Sequence, residues 1–189
     1  MKKIRKAILA FLLPALLLFG PALTFANTDT ASHGINLNVS EIAVLGLNDT
    51  GSISLATAGT VSAGADPSSA AAASDSTKYI KYTSVVNSGA TRVITVALGP
   101  TDEVPAGTRL TVQAADAGTT NDGTPVGSEI PLTGAMSAAN LITGIGSCAT
   151  GTSATDGANI TYNYSITDVT ALEDDADATV TVTLTLSDY

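Results

Sequence analysis

His33 and Cys148 are the only histidine and the only cysteine in this 189-residue chain, and their scarcity removes most routes to catalysis. A serine or cysteine nucleophile needs a base within hydrogen-bond reach. The single imidazole stands near the start of the chain, far in sequence from Cys148. Past residue 26 the only lysines are Lys78 and Lys81, and neither follows a Ser-x-x-Lys spacing. Zinc lacks the nitrogen and sulfur donors it favours. Paired carboxylates could cleave glycosides, but with no tryptophan and 4% aromatic residues the chain offers few rings to stack on sugar faces. The expectation is a protein that is not an enzyme and holds no cofactor.

Oxygen ligands are more plentiful. Glu173, Asp174, Asp175 and Asp177 form the densest acidic cluster, and carboxylate oxygens suit calcium. The spacing lacks the alternating Asp and the Gly of a calcium loop, so a solvated turn between two strands is the preferred reading and calcium the weaker one. Asp116, Asn121 and Asp122 are a second, sparser candidate of the same kind. Cys148 reads either as a small buried or semi-buried residue in a Gly/Ser loop or as an intermolecular bridge. The Asn-x-Ser/Thr triplets at Asn38, Asn48, Asn159 and Asn163 read as chance matches in an Asn- and Thr-rich chain. Gly144 and Gly146 precede Ser147 without the helix that a phosphate loop requires.

The elements that must carry these residues begin with a leader. Lys2, Lys3, Arg5 and Lys6 precede an apolar run from Ala7 to Phe19, and Gly20 and Pro21 end it. That run is about 13 residues, against the roughly 20 needed to cross a bilayer. Small residues at Thr24 and Ala26 predict a signal peptide over residues 1–26, cut between Ala26 and Asn27. Its removal leaves four basic residues against seventeen acidic ones, a formal charge of −13 where the whole chain has −9. Such a field repels phosphate backbones. The expected protein is secreted to the periplasm, the cell surface or the medium, binds no nucleic acid and has no membrane span after the leader.

Residues 27–189 are expected to form one β-sandwich domain. Period-two alternation recurs between Gly, Asn, Asp, Ser and Pro clusters, which is the pattern of short antiparallel strands. Ile35, Leu37 and Val39 alternate with polar residues, and the phase shifts near Glu41 toward Ile42, Val44 and Leu45, predicting a bulge. Ile53 and Leu55 share a side of the 52–58 stretch. Residues 59–76 read as a loop. Strands are predicted over 79–86 and 91–98, joined as a hairpin through Asn87, Ser88 and Gly89, and then over 108–114, 130–133, 141–145, 160–166 and 178–186. The total is an all-β, antiparallel, two-sheet immunoglobulin-like sandwich of seven to nine strands.

The stretch from Thr179 to Tyr189, with Val180, Val182, Leu184 and Leu186 alternating with four threonines, is similar to the C-terminal strand of bacterial pilins, in which a terminal aromatic is common. With the leader, it makes the chain resemble secreted β-sandwich fimbrial subunits. The cysteine pair of many pilins is missing. The resemblance implies a non-catalytic structural protein, a cell-surface or extracellular fibre subunit whose partners are copies of itself held by β-strand pairing, with Ile35, Leu37 and Val39 as strand donors. The alternative is an extracellular module binding glycan, cation or host protein through the loops 59–76 and 115–128.

Overall fold

The computed structural model describes residues 29–57, 61–134, 136–172 and 178–189. The expected leader with its cut at Ala26 and Asn27, and the carboxylates Glu173, Asp174, Asp175 and Asp177, lie outside the described residues. The chain divides into two units, residues 1–38 and Val39–Tyr189. In the first, residues 29–38 are exposed and carry no regular secondary structure.

The second unit is all-β. Its strands are β1 (Ile42–Leu47), β2 (Ala73–Val85), β3 (Arg92–Leu98), β4 (Thr108–Ala114), β5 (Thr124–Pro125), β6 (Ile130–Leu132), β7 (Ala139–Ile145), β8 (Cys148–Ala149), β9 (Ala158–Ile166) and β10 (Val182–Asp188). Every pairing is antiparallel. The first sheet runs β1-β2-β9-β4-β6, with β8 also on β2, and the second runs β10-β3-β7-β5. Among the described residues the only helical pieces are 3-10 turns at Pro67–Ser69 and Val169–Ala171. Asp66 and Asp168 cap them through their side chains, each accepting from the backbone N–H two residues on.

Side-chain alternation explains the packing. In β2 and β9 the inward positions Ile80, Tyr82, Ala158, Ile160 and Tyr162 are buried, while Lys81, Thr83, Thr161 and Asn163 between them are only half-buried. Threonines tolerate that outer face because a branched side chain suits the pleat. From the second sheet Ile94, Val96, Leu98, Leu141, Ile142 and Ile145 join the same apolar cluster. The two sheets therefore share one core.

Several sequence expectations need correction. Among the described residues ten strands stand where seven to nine were expected, because β5 and β8 have two residues each and leave no periodic trace. The strand expected through Ile35, Leu37 and Val39 begins only at Ile42, so no bulge forms at Glu41; alternation sets the geometry of a strand but does not supply its partner. Residues 52–57 are not a strand, although Ile53 and Leu55 do turn inward. The loop expected over 59–76 ends early, since β2 starts at Ala73 and pairs with Tyr164 there. Part of the loop expected over 115–128 is β5 on β7. The final strand starts at Val182, four residues later than expected. The largest correction concerns topology: β2 and β3 lie in different sheets and are not a hairpin. A turn closed by Ala90 N–H on the Asn87 carbonyl reverses the chain, but the reversal carries it across the core.

Candidate functional site

Positions singled out for chemistry are spread over the molecule. His33 is exposed within residues 29–38. Cys148 lies half-buried in β8 opposite Ser84, where burial, and then the Asp122 carboxylate, push its thiol pKa up. Asp116 Oδ1 accepts from the Gly118 N–H at 2.8 Å, and Asp122 Oδ2 accepts from the Thr119 N–H at 2.8 Å. The Asn121 carbonyl accepts from Gly146, and the Asp122 carbonyl accepts the Tyr82 hydroxyl at 2.6 Å. These groups hold their loop together and tie it to Gly146 and to Tyr82 in β2. Among the described residues no cluster of three or more His, Cys, Asp or Glu side chains is placed to bind a metal ion. Three of the four Asn-x-Ser/Thr amides are engaged as donors: Asn48 to the Thr77 carbonyl, Asn159 to those of Ser76 and Lys78, and Asn163 to Glu129. Asn38 is exposed.

Two buried cations are the polar features that sequence reasoning missed. Lys78 Nζ reaches Asp49 Oδ2 at 2.7 Å and the Gly51 carbonyl at 2.6 Å. The Lys78 hydrogen bond, and after it the Gly51 N–H, hold the Asp49 carboxyl below its ordinary pKa. Arg92, 4% exposed, opens β3 at a corner where both sheets meet. Its Nε donates to Asp188 Oδ1 at 2.9 Å and its Nη2 to Glu41 Oε1 at 2.7 Å. Its Nη1 donates to the Ile42 carbonyl, to Ser84 Oγ and to the Val85 carbonyl. One guanidinium thus ties the start of β1 to the end of β10. Its five donors in a fixed fork suit it to that work.

Two hollows of similar size open among the described residues. One, about 460 Å³, lies among the loops Pro100–Arg109 and Pro131–Gly134. The other, about 470 Å³, is a groove lined by residues between Leu47 and Leu55 and between Ala178 and Val182, together with Lys78, Leu110, Tyr162 and Tyr164. The groove is the more distinctive of the two because inward apolar residues from several parts of the chain line it. Ile53, Leu55, Tyr164, Val180 and Val182 all pack against the core while staying partly open.

Burial, and secondarily the Asp75 carboxylate, push the Tyr162 phenol up to about 12 from its ordinary 10.0. A phenol whose pKa is raised by folding supports the fold only while protonated, so its contribution is complete below pH 10 and fades as the pH climbs toward 12. Tyr162→Phe should match the parent at pH 7 and lose less melting temperature than the parent between pH 10 and 12.

Exposed apolar residues concentrate in one part of the sequence. Ile35, Leu37 and Val39 are 71%, 89% and 81% exposed, and Ile42 and Val44 on the edge strand β1 are also open. No family model, no curated protein and no solved structure matches the chain.

Proposed function

We propose that this chain is an exported, non-catalytic structural protein, a pilin-like subunit of a cell-surface or extracellular fibre on an immunoglobulin-like sandwich, assembling with copies of itself by strand addition. The observation that carries the reading is the alternating apolar stretch Ile35, Leu37 and Val39, held in solvent with no regular structure. Exposing three large apolar side chains at that spacing costs solubility unless something covers them. A sheet edge is a natural cover: main-chain hydrogen bonds supply affinity and alternate side chains supply specificity. Among the described residues both sheets end in strands with one neighbour, β1 and β6 in the first, β10 and β5 in the second. The side chains bound into the fold, Arg92 and Lys78 among them, are committed to structural partners.

Light scattering and electron microscopy of the full chain test this. The expected outcome is concentration-dependent growth in mass, with filaments in the images. Deleting residues 27–40 keeps Glu41 for Arg92 and leaves β1 to β10 intact; it should abolish the growth without changing the β-rich circular dichroism. A monomeric parent sinks the fibre reading, and polymers that persist in the deletion sink strand donation by this segment.

A further inference from the structure

We infer that the groove lined by Leu55, Leu110, Tyr162 and Val180 binds a small, uncharged, mainly apolar molecule carrying one hydroxyl or carbonyl oxygen, with the Tyr162 hydroxyl as its hydrogen-bond partner. Sites for such molecules are hollows of about 300 to 1,000 Å³, largely apolar, with a few polar groups that fix orientation. This groove has about 470 Å³. Leu110 and Tyr162 belong to the buried core, and Ile53, Leu55, Tyr164 and Val180 pack against it from the groove side. An apolar guest therefore meets a surface continuous with the core, and its burial there takes apolar area on both partners out of water.

Charge decides against an ionic guest. The charged lining residues among those described, Lys78 and Asp49, bond each other at 2.7 Å, and the Lys78 ammonium also donates to the Gly51 carbonyl. An ion entering the groove would lose hydration without gaining an unpaired counter-charge. The main chain of Thr181 is engaged as well, its N–H donating to Asp102 and its carbonyl accepting from Gly99. The Tyr162 hydroxyl differs from these groups. Tyr162 is 7% exposed, yet among the described residues its hydroxyl has no hydrogen-bond partner, and no side-chain oxygen there is wholly enclosed without one. The oxygen therefore reaches the groove that the residue lines. Asp75, opposite Tyr162 where β2 pairs with β9, turns its Oδ1 to the N–H and hydroxyl of Thr77 instead. A guest that covered this phenol without offering it an oxygen would leave a buried donor unsatisfied, which is what selects an oxygen-bearing molecule over a plain hydrocarbon.

Fluorescence titration of the full chain with prodan, an uncharged naphthyl ketone whose emission moves to shorter wavelength as it leaves water, tests the site. The shift should saturate at one probe per chain. Tyr162→Phe keeps the apolar lining and removes the oxygen, so it should weaken binding about fivefold. Val180→Asp places a charge in the lining and should weaken it by more than about tenfold. Ethylnaphthalene, which lacks the ketone oxygen, should compete for the parent no better than for Tyr162→Phe. An unsaturable shift overturns the site, and so does a folded Val180→Asp that binds as the parent does. Equal prodan affinity in the parent and Tyr162→Phe overturns the hydroxyl as the partner. Should Val180→Asp fail to fold, nuclear Overhauser contacts between prodan and the side chains of Leu110 and Tyr162 in the parent decide instead, and their absence overturns the site. Binding that falls away as the parent is concentrated and gains mass means that another copy fills the groove, which overturns the small-molecule reading. A parent that stays monomeric and binds prodan sinks the fibre and leaves this site standing.

Discussion

Gly157→Ala is expected to cost about 3 kcal/mol of folding stability, read as a shift in the urea midpoint at unchanged slope. Gly157 has φ +95, a region costly for any residue with a Cβ. A Cβ built there would run into the Ile80 carbonyl and crowd the Lys81 side chain. Neither can give way easily: Ile80 is 0% exposed and pairs with Ala158 where β2 meets β9. Gly89 separates the two causes. Its φ is +83 but nothing lies within 4 Å of an added Cβ, so Gly89→Ala should cost only about 1 kcal/mol. Equal losses at the two sites would show that backbone conformation alone matters and the clash does not.

Arg92→Met should cost about 2–3 kcal/mol, because hydrogen bonds to a charged group are among the stronger ones and several go at once. The loss also strands Ser84, 0% exposed, whose hydroxyl would keep no partner in place of the guanidinium. The two carboxylates behave differently. With side chains 48% and 79% exposed, Glu41 and Asp188 return to water when released, so Glu41→Gln and Asp188→Asn should each cost less than about 1 kcal/mol. Thermal unfolding of the three variants checks the order. A carboxylate variant as damaging as Arg92→Met would mean that the pair, and not the buried guanidinium with its carbonyl and hydroxyl partners, holds the corner.

Local periodicity made much of the fold legible. β4 and β9 lie close to where alternation put them, since Leu110 and Val112, and Ile160, Tyr162 and Tyr164, announce both the strand and its inward face. What depends on distant partners was not legible. Nothing near Lys78 marks it as buried, because its counter-ion Asp49 is 29 residues away. Arg92 opens an apolar strand like any solvent-side base until β1 and β10 bring their acids to it. Asn87, Ser88 and Gly89 encode a reversal, and a reversal is the same whether the chain returns to its own sheet or crosses to the other. The groove belongs to this class too: Ile53 and Leu55 read as strand residues, and only the fold shows that their backbone has no neighbour among the described residues.

The pairing of β10 with β3 also bears on how quickly the molecule can form. Asp188 meets Arg92 across 96 residues of chain, and Thr150 meets Tyr82 across 68. Closing loops of that length loses chain entropy before any contact compensates for it. Sheets built from such distant pairs fold on a scale of about milliseconds to seconds, well behind helical bundles of similar size. During that interval the strands that will share the core are still open to one another's copies, so the speed of closing the corner at Arg92 sets how long the chain is exposed to premature association.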